Sequence, residues 1–281
     1  MVVEAVQSSD TDHLHNFHTH TYRCKHATGD VADYCQEAVN RSMQTLGFSD
    51  HSALPDDRWI QARMHYADLS EYTGAIDQAK VDFPTLTILK GMECEYIEKF
   101  HSWYEEELLG ELQFDYLIGA SHFFTADDKW VGTYGGTDSP ERLRAFADYT
   151  IGMMATGLFD FIAHPDLFGN CYLNWDADAQ ACSQDILQAA ADLDVGMEIN
   201  ALGLRKQAHK KKSNPFPMYP WLPFWELATD YDVKVIVNSD AHRPEDLQAR
   251  TGEARKIAED LQLNFMDLTT IGRRNNAVVA S

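Results

Sequence analysis

Long apolar segments are missing from this sequence. None of its apolar runs reaches eighteen residues, and a membrane-spanning helix needs about twenty. The segment up to His15 carries acidic residues and no basic stretch leading into an apolar one, which is not the pattern of a signal peptide. We therefore expect no membrane partner and a cytoplasmic location.

Basic residues are also scarce. The chain has 23 Lys and Arg against 44 Asp and Glu, which gives a formal net charge of −21. Sequence-independent binding to DNA or RNA depends on neutralising phosphates with Lys and Arg, so this composition argues against a nucleic-acid partner. A small anionic substrate stays possible, because bound metal ions can reverse the sign of the field inside a pocket.

Cysteines are few and scattered. The chain has five, an odd number, and no CxxC pair. This pattern excludes a zinc-finger arrangement and, without a signal peptide, predicts reduced thiols. Cys24 and Cys94 lie beside candidate metal ligands, but a small buried apolar side chain is the favoured interpretation for both.

Internal repeats, low-complexity tracts and long flexible linkers are absent as well. With 44% apolar residues, a chain of 281 residues can bury one large core. We predict one domain over residues 1–281, with residues 1–11 as a flexible N-terminal segment.

Short apolar runs alternate with longer amphipathic stretches along the chain. Each run has five to eight residues and is typical of a buried strand. This alternation predicts a parallel sheet covered by helices, either closed into a barrel or open and doubly wound. The seven predicted strands are residues 14–18, 45–49, 85–92, 116–121, 159–163, 195–199 and 234–238.

Capping residues mark the predicted helices. Asp30 precedes an i, i+3, i+4 apolar pattern that begins at Val31, and Asp is a preferred N-cap residue. Ser139 and Pro140 open another helix as cap and first helical residue. Two more helices are predicted at residues 185–193 and 245–261.

A residue able to bind metal or substrate follows each predicted strand, and this favours the barrel. In a parallel barrel all the strands open their C-terminal ends onto one face, where active sites are built. An open sheet would spread seven such ends over tens of ångströms, at about 4.8 Å per strand. We therefore predict an α/β fold in the form of a closed barrel.

The first two candidate ligands form an HxH pair, His18 and His20, at the end of the first strand. Side chains two residues apart lie on the same side of an extended segment, so both imidazoles can converge on one ion. His13 and His15 form a second HxH pair, but they precede or begin the strand. His13, His15, His65, His101 and His209 are set aside as structural or surface residues.

Two carboxylates complete the candidate metal centre. Glu93 ends the third strand with no Lys or Arg at a neighbouring strand end, and a buried unpaired carboxylate is so costly that it needs a cation. Nine ligands exceed one tetrahedral ion and predict two or three divalent metals, with Zn, Mn or Fe favoured by the imidazoles. The predicted ligands are His18, His20, His26, His51, Glu93, His122, His164, Asp240 and His242.

The order of these motifs resembles the polymerase-and-histidinol-phosphatase (PHP) family of metal phosphoesterases. The motifs are HxHx5H, DH, GxE, SH, HPD and SDAH, from His18 to Pro244. The resemblance implies a distorted (β/α)7 TIM-like barrel with three metals. It also implies three ligand sets: His18, His20, Glu93 and Asp240; Glu93, His122 and His164; His26, His51 and His242.

Further segments are similar to the histidinol-phosphatase branch of that family. They include Cys24-Lys25-His26-Ala27, Phe48-Ser49-Asp50-His51, Gly203-Leu204-Arg205 and Ser239-Asp240-Ala241-His242-Arg243-Pro244. The resemblance implies hydrolysis of L-histidinol phosphate in histidine biosynthesis. The tract over residues 206–212, and the prolines that follow it, have no match in this pattern.

The expected reaction is attack on phosphorus by a metal-bridging hydroxide, because coordination lowers the pKa of water from 15.7 toward about 7. Arg205 is predicted to bind phosphate through its guanidinium fork. Lys25 is a second phosphate-binding candidate. Asp166 is a candidate catalytic residue, which either protonates the leaving alkoxide or orients His164.

Other functions stay open at this point. The nearest is a PHP phosphoesterase for another small phosphate ester. A nuclease is disfavoured by the net charge of −21. A metal-dependent amidohydrolase also opens with HxH in a barrel, but it typically has a lysine at the bridging position, where this chain has Glu93. A non-catalytic metal-binding protein would be expected to have lost at least one ligand.

Overall fold

The computed structural model describes residues 14–207 and 219–272. The predicted flexible segment over residues 1–11, His13, His209 and most of the tract over residues 206–212 lie outside the described residues. Within them, ten strands form the sheets. They are β1 His15–Asn16, β2 Thr45–Phe48, β3 Thr87–Cys94, β4 Tyr116–Gly119, β5 Phe123–Ala126, β6 Lys129–Gly132, β7 Phe161–Ile162, β8 Gly196–Asn200, β9 Lys234–Asn238 and β10 Asn264–Phe265.

Eight of these strands pair side by side in the order β1-β2-β3-β4-β7-β8-β9-β10. Every pairing in this sheet is parallel. The strands β5 and β6 form a separate antiparallel hairpin. The seven predicted strands correspond to β1, β2, β3, β4, β7, β8 and β9, whereas the hairpin and β10 were not predicted.

The ring closes between the chain after β1 and the chain after β9. Thr19 and Ala241 form a parallel bridge, in which the Ala241 N–H donates to the His18 carbonyl at 3.1 Å. Below it, the Phe17 N–H donates to Asn238 Oδ1 at 2.8 Å. The predicted distorted seven-stranded β/α barrel is confirmed, and β10 adds an eighth strand beside the start of β9.

The interior of the ring is filled by a small apolar cluster centred on Tyr116. Its hydroxyl group donates to the Phe17 carbonyl at 2.7 Å and to the Phe48 carbonyl at 3.1 Å. Two glycines make room for the ring, since a Cβ on Gly47 or Gly91 would lie 2.3 Å from an atom of Tyr116. The interior is therefore a packed core, and the polar side chains gather above it, at the C-terminal ends of the strands.

Helices cover the outside of the barrel. Those of seven residues or more in the described part are Val31–Asn40, Leu69–Asp82, the π-helix Trp103–Glu111, Pro140–Ala155, Ala177–Leu193, Ala201–Gln207, Leu222–Ala228 and Thr251–Asp260. Asp30 caps the first through the Val31 N–H, and Ser139 caps the helix that begins at Pro140. None of the described helices is long and apolar enough to cross a membrane.

Two predicted helices have different bounds in the structure. The helix predicted over residues 185–193 begins at Ala177, because the Asp176 side chain accepts from the N–H groups of Asp178 and Ala179. The helix predicted over residues 245–261 spans Thr251–Asp260. The helix begins after Arg250 because that residue has a φ of 60°, which a continuous right-handed helix excludes.

Candidate metal centre

The barrel brings the nine predicted ligands to one face. His18 and His20 follow β1, and His51 follows β2. Glu93 is the next-to-last residue of β3, and the other five reach the same place from loops that follow strands. Eight of the nine are buried or half-buried, and His26 is the most exposed. Closing the sheet therefore brings side chains from residues up to 224 positions apart in the sequence into one polar cluster.

Glu93 is the centre of the cluster. Its Oε1 lies 3.1 Å from His164 Nε2, 3.3 Å from His18 Nε2 and 3.5 Å from His122 Nε2. Its Oε2 lies 2.8 Å from His51 Nδ1 and 3.5 Å from His20 Nε2. One carboxylate, 1% exposed, thus faces five imidazoles.

Asp240 is the second anionic group of the cluster. Its Oδ1 lies 3.1 Å from His20 Nε2, 3.3 Å from His242 Nδ1 and 3.7 Å from His18 Nε2. Asp240 has a φ of 51°, and His164 has a φ of 32°. A positive φ is strained for residues with a side chain, and such strain is held where the surrounding structure fixes it, often at functional sites.

The ligand atoms form compact groups, each with its atoms within 4.8 Å of one another. Four of the groups use predicted ligands only, and the fifth adds Cys24. Burial raises the pKa of the Cys24 thiol, which disfavours the thiolate. The groups are His18-His20-Asp240, His20-His51-Glu93, Glu93-His122-His164, His26-His51-His242 and His20-Cys24-His242.

The donor atoms of this cluster fit divalent metal ions. Several buried nitrogens and oxygens in it make no hydrogen bond of normal geometry among the described residues, although some lie close to one another, and leaving such groups unpaired costs about 1–3 kcal/mol each. A metal ion would satisfy them, and the imidazole-carboxylate mixture suits Zn, Mn or Fe. The atoms that face the centre of the cluster are His18 Nε2, His20 Nε2, His51 Nδ1, Glu93 Oε2 and Asp240 Oδ1.

At two of the predicted ligands, Glu93 and His20, the electrostatics favour the protonation states that metal binding requires. Burial raises the pKa of Glu93, but His122, His18 and His51 outweigh it and bring the pKa well below its ordinary value. Burial and the neighbouring His242 lower the pKa of His20 to about 3. The carboxylate is thus anionic and the His20 imidazole neutral near pH 7, as metal ligands must be.

Glu198, which is not among the predicted site residues, contacts the predicted ligand His18. Its Oε1 lies 2.8 Å from His18 Nδ1 and accepts from Asn238 Nδ2 at 2.9 Å. Its Oε2 accepts from Asn200 Nδ2 at 2.7 Å. A carboxylate on the second nitrogen of a ligand histidine fixes its tautomer and ring orientation. Glu198 ends a predicted strand, but its partner His18 is 180 residues away.

A pocket of about 820 Å³ opens above the cluster. Its floor includes His51, His122 and Asp240, and its walls include Arg63, Phe123 and Arg205. This size fits a small metabolite. The pocket gives the ligand atoms a route to solvent.

Arg205 lies in the wall of this pocket and also holds the loop that carries Asp240. Its Nη1 donates to the carbonyls of Ser239 at 2.7 Å and Ala249 at 3.1 Å. Its Nη2 donates to the Asp240 carbonyl at 2.8 Å. A guanidinium has five N–H groups; these bonds use three of them, and Nε lies 3.8 Å from an Asp246 oxygen.

The other two predicted residues have different surroundings. Lys25 Nζ donates to the Ile60 carbonyl at 2.6 Å on an exposed loop. Asp166 is fully buried, and its Oδ2 accepts from the Trp221 N–H at 2.5 Å and from Trp225 Nε1 at 2.9 Å. Burial raises the pKa of Asp166 to about 6. These contacts attach the chain that begins the helix Leu222–Ala228 to the loop after β7.

The histidines set aside lie apart from the cluster where the structure describes them. His15 is in β1, at the opposite end from His18. His65 is half-exposed and lies 3.6 Å from an Asp57 oxygen, and His101 lies 3.2 Å from a Glu105 oxygen on the surface. Seven of the ten described histidines therefore gather at one site.

Two curated proteins are similar to this chain in sequence. A protein from Deinococcus radiodurans named probable histidinol-phosphatase is 30% identical over 257 residues, which cover 87% of this chain and 92% of that protein. A protein of the same name from Schizosaccharomyces pombe is 22% identical, and the match covers 93% of this chain and 91% of that protein.

Two solved structures share the fold. A candidate histidinol phosphatase from Listeria monocytogenes superposes with a TM-score of 0.67 at 18% identity, over 85% of this chain and 99% of that one. The histidinol phosphate phosphatase of Lactococcus lactis was solved in complex with zinc, L-histidinol and phosphate. It superposes with a TM-score of 0.64 at 15% identity, over 90% of this chain and 95% of that one. The PHP domain family model matches residues 16–202. With nearly two thirds of the chain inside that match, and a 30% identical relative covering most of it, the chain belongs to the PHP family.

Proposed function

We propose that this protein is a metal-dependent phosphomonoesterase that hydrolyses L-histidinol phosphate to L-histidinol and phosphate. The observation that carries the proposal is the Glu93 carboxylate, which faces five histidines at the floor of an open pocket. The names of the two curated relatives and the ligands of the Lactococcus lactis protein support the same substrate.

The proposed metal ligands are the nine residues of the cluster. His18, His20, Glu93 and Asp240 would hold one ion; Glu93, His122 and His164 a second; His26, His51 and His242 a third. When bound, divalent ions there supply Lewis acidity toward phosphoryl oxygens and lower the pKa of coordinated water.

The charge of the site explains how an acidic protein would bind a phosphate ester. The nine ligands carry two negative charges if the histidines are neutral, so three divalent ions would leave about +4 at the floor of the pocket. Arg205 adds a positive charge in the wall. A phosphate dianion is therefore attracted locally, although the formal net charge of the chain is −21.

Aromatic side chains on one wall suit the imidazole end of histidinol phosphate. Phe123 lines the pocket, and Trp59 stacks on it with ring centroids 4.0 Å apart and planes 6° apart. Trp130 meets Trp59 edge to face at 5.2 Å. This packing fixes the Phe123 ring, and a fixed aromatic ring offers a flat surface for an imidazole.

The test of this proposal is phosphate release from a panel of small phosphate esters, with metal content measured on the same sample. We expect histidinol phosphate to be hydrolysed with a kcat/KM at least about tenfold above any other ester. Comparable turnover of many esters would leave the alternative, a PHP phosphoesterase of another or broader specificity. Full activity in protein with almost no metal would contradict the metal-dependent reaction.

Replacing Arg205 by Met is expected to lower kcat/KM by about a hundredfold, because charge-assisted hydrogen bonds contribute about 1.5–3 kcal/mol. Lys25→Met is the matched control. It removes a cation whose Nζ is bound to the Ile60 carbonyl on an exposed loop, and we expect a change below about threefold. Steady-state kinetics measures both. An equal loss in the two variants would assign phosphate binding to Lys25 as well.

Replacing Asp166 by Asn tests its predicted role as a proton donor. Asn keeps an oxygen for the Trp221 and Trp225 donors but cannot supply a proton. Because those two donors already occupy Asp166 Oδ2, we expect kcat to stay within about tenfold. Asp166→Ala is expected to lower the free energy of unfolding by about 3 kcal/mol, since it leaves both donors unpaired. A fall in kcat beyond about a hundredfold in folded Asp166→Asn would instead identify a proton donor.

A further inference from the structure

A buried ion pair lies behind His122. Glu95 follows Glu93 by two residues, so the two side chains leave the extended chain on the same side. Glu95 is 0% exposed and its partner Arg63 is 3% exposed. Arg63 Nη2 lies 2.5 Å from Glu95 Oε1, and Arg63 Nη1 donates to Ser52 Oγ at 3.0 Å. Neither charged residue is among the proposed ligands.

The same Glu95 oxygen contacts the imidazole of His122. Glu95 Oε1 lies 3.2 Å from His122 Nδ1, and His122 Nε2 lies 3.5 Å from Glu93 Oε1. The two nitrogens of this ring thus face two different carboxylates. If Nδ1–H donates to Glu95, Nε2 carries no proton and its lone pair points into the Glu93-His122-His164 group.

The arrangement repeats the one found at His18. There, Glu198 contacts Nδ1 at 2.8 Å while Nε2 faces Glu93 at 3.3 Å. In both cases a buried carboxylate lies on the nitrogen that points away from the centre of the cluster. Carboxylates in this position fix the tautomer of a ligand histidine and raise its basicity.

We propose that Glu95, held in place by Arg63, is a positioning residue that fixes His122 for metal binding by the Glu93-His122-His164 group. The inference rests on the proposed function for the presence of metal at that group. Arg63 keeps the Glu95 carboxylate anionic in a buried place, since an unpaired carboxylate there would be costly. Its side chain also packs against Trp59, with the guanidinium carbon 5.2 Å from the ring centroid.

The experiment measures metal affinity directly, with Co²⁺ alone as the probe. Metal-free protein is titrated with Co²⁺ against a competing chelator, and the visible absorption of bound Co²⁺ reports each class of site. Glu95→Gln keeps an acceptor for His122 and removes the charge. The double variant Arg63→Met, Glu95→Met removes the acceptor without leaving an unpaired buried charge.

We expect the double variant to bind Co²⁺ about 10–100-fold more weakly at one class of site, the usual cost of losing such a partner. Glu95→Gln is expected to weaken Co²⁺ binding by about 3–10-fold, less than the double variant, because the hydrogen bond to His122 is retained but the charge that raises the basicity of its ring is lost. Asp77→Asn is the matched control. It removes the carboxylate partner of the buried Lys90 on the outer helix layer, and Co²⁺ affinity should not change.

A double variant with wild-type circular dichroism and wild-type Co²⁺ affinity at every site would overturn the inference, because the ion pair would then only support the fold. If the double variant does not fold, the Glu95→Gln variant becomes the test. A Co²⁺ affinity within about twofold of wild type would then also overturn the inference. The readout does not use histidinol phosphate. Failure of the wild-type protein to hydrolyse that ester would therefore contradict the proposed function. The Co²⁺ affinities would still test the positioning role of Glu95.

Discussion

Glu93→Gln is expected to lower kcat/KM for histidinol phosphate by at least about a thousandfold. The substitution keeps the size of the side chain and removes the one carboxylate that faces His18, His20, His51, His122 and His164. Metal ions contribute several kcal/mol of transition-state stabilisation, and about 4 kcal/mol corresponds to a thousandfold in rate. Loss of a ligand shared by two proposed metal sets should remove most of that contribution.

The structural reason is that the neighbouring carboxylates Asp240, Glu198 and Glu95 already contact other groups of the cluster. Asp240, the other acidic ligand, is already surrounded by His18, His20 and His242. Glu198 and Glu95 each contact the outward-facing nitrogen of a ligand histidine, His18 or His122. We expect elemental analysis of the Gln variant to show less than one tightly bound metal per chain.

A matched substitution on the surface controls for the loss of one negative charge. Glu107 accepts from the Tyr66 hydroxyl group at 2.7 Å on the surface, in the π-helix Trp103–Glu111. Glu107→Gln should leave kcat/KM and metal content within about a factor of two. Retention of more than about a tenth of wild-type activity by a metal-loaded Glu93→Gln variant would show that Glu93 is not the shared ligand.

The strand pattern of the fold could be predicted because each barrel strand is a short apolar run. The chain after β9 also carries the residues that close the ring, but a pairing such as Thr19 with Ala241 is not visible in either segment alone. β10 was missed because Asn264–Phe265 has two residues and no apolar run. The β5–β6 hairpin turns at Asp127 and Asp128, both with positive φ, and this pair lacks the glycine that usually marks such a turn.

The sequence predicts which residues of the candidate site lie at the ends of strands. Side chains that follow parallel strands in a closed barrel meet at one face, and this rule alone gathers residues such as His51 and His164. It does not tell which nitrogen of an imidazole points inward. That choice depends on Glu198 and Glu95, whose contacts to His18 and His122 exist only after the ring has closed.

Arg205 illustrates the same limit. Its charge and its place after β8 predicted a phosphate contact, and the structure puts it in the pocket wall. Its bonds to the carbonyls of Ser239, Asp240 and Ala249 depend on packing between distant loops. A charged side chain can be assigned to a site from its position, whereas the number of donors it keeps for a ligand is a property of the folded chain.

Removing the metals is expected to abolish activity and to lower the melting temperature by about 10 °C. Ligands that bind only the folded chain stabilise it by about 4 kcal/mol at a thousand times their Kd, and each kcal/mol shifts the melting temperature of a chain of this size by about 2–4 °C. Without metal, the buried donor atoms of His20, His51, Glu93 and Asp240 lose the partner proposed for them. Adding Zn²⁺ or Mn²⁺ back should restore both properties.

Calorimetry of dialysed, chelator-treated and reloaded samples measures this effect, with phosphate release followed in parallel. The Glu93→Gln variant is the control for nonspecific effects of the chelator, because it is expected to hold little metal before treatment. Its melting temperature should move by less than about 2 °C. A fall in wild-type stability that Glu93→Gln shares in full would mean that the chelator acts elsewhere on the chain. An unchanged wild-type midpoint with full activity would instead require that the nine-residue cluster holds no metal, and its buried imidazoles and carboxylates would then have to be stabilised by one another alone.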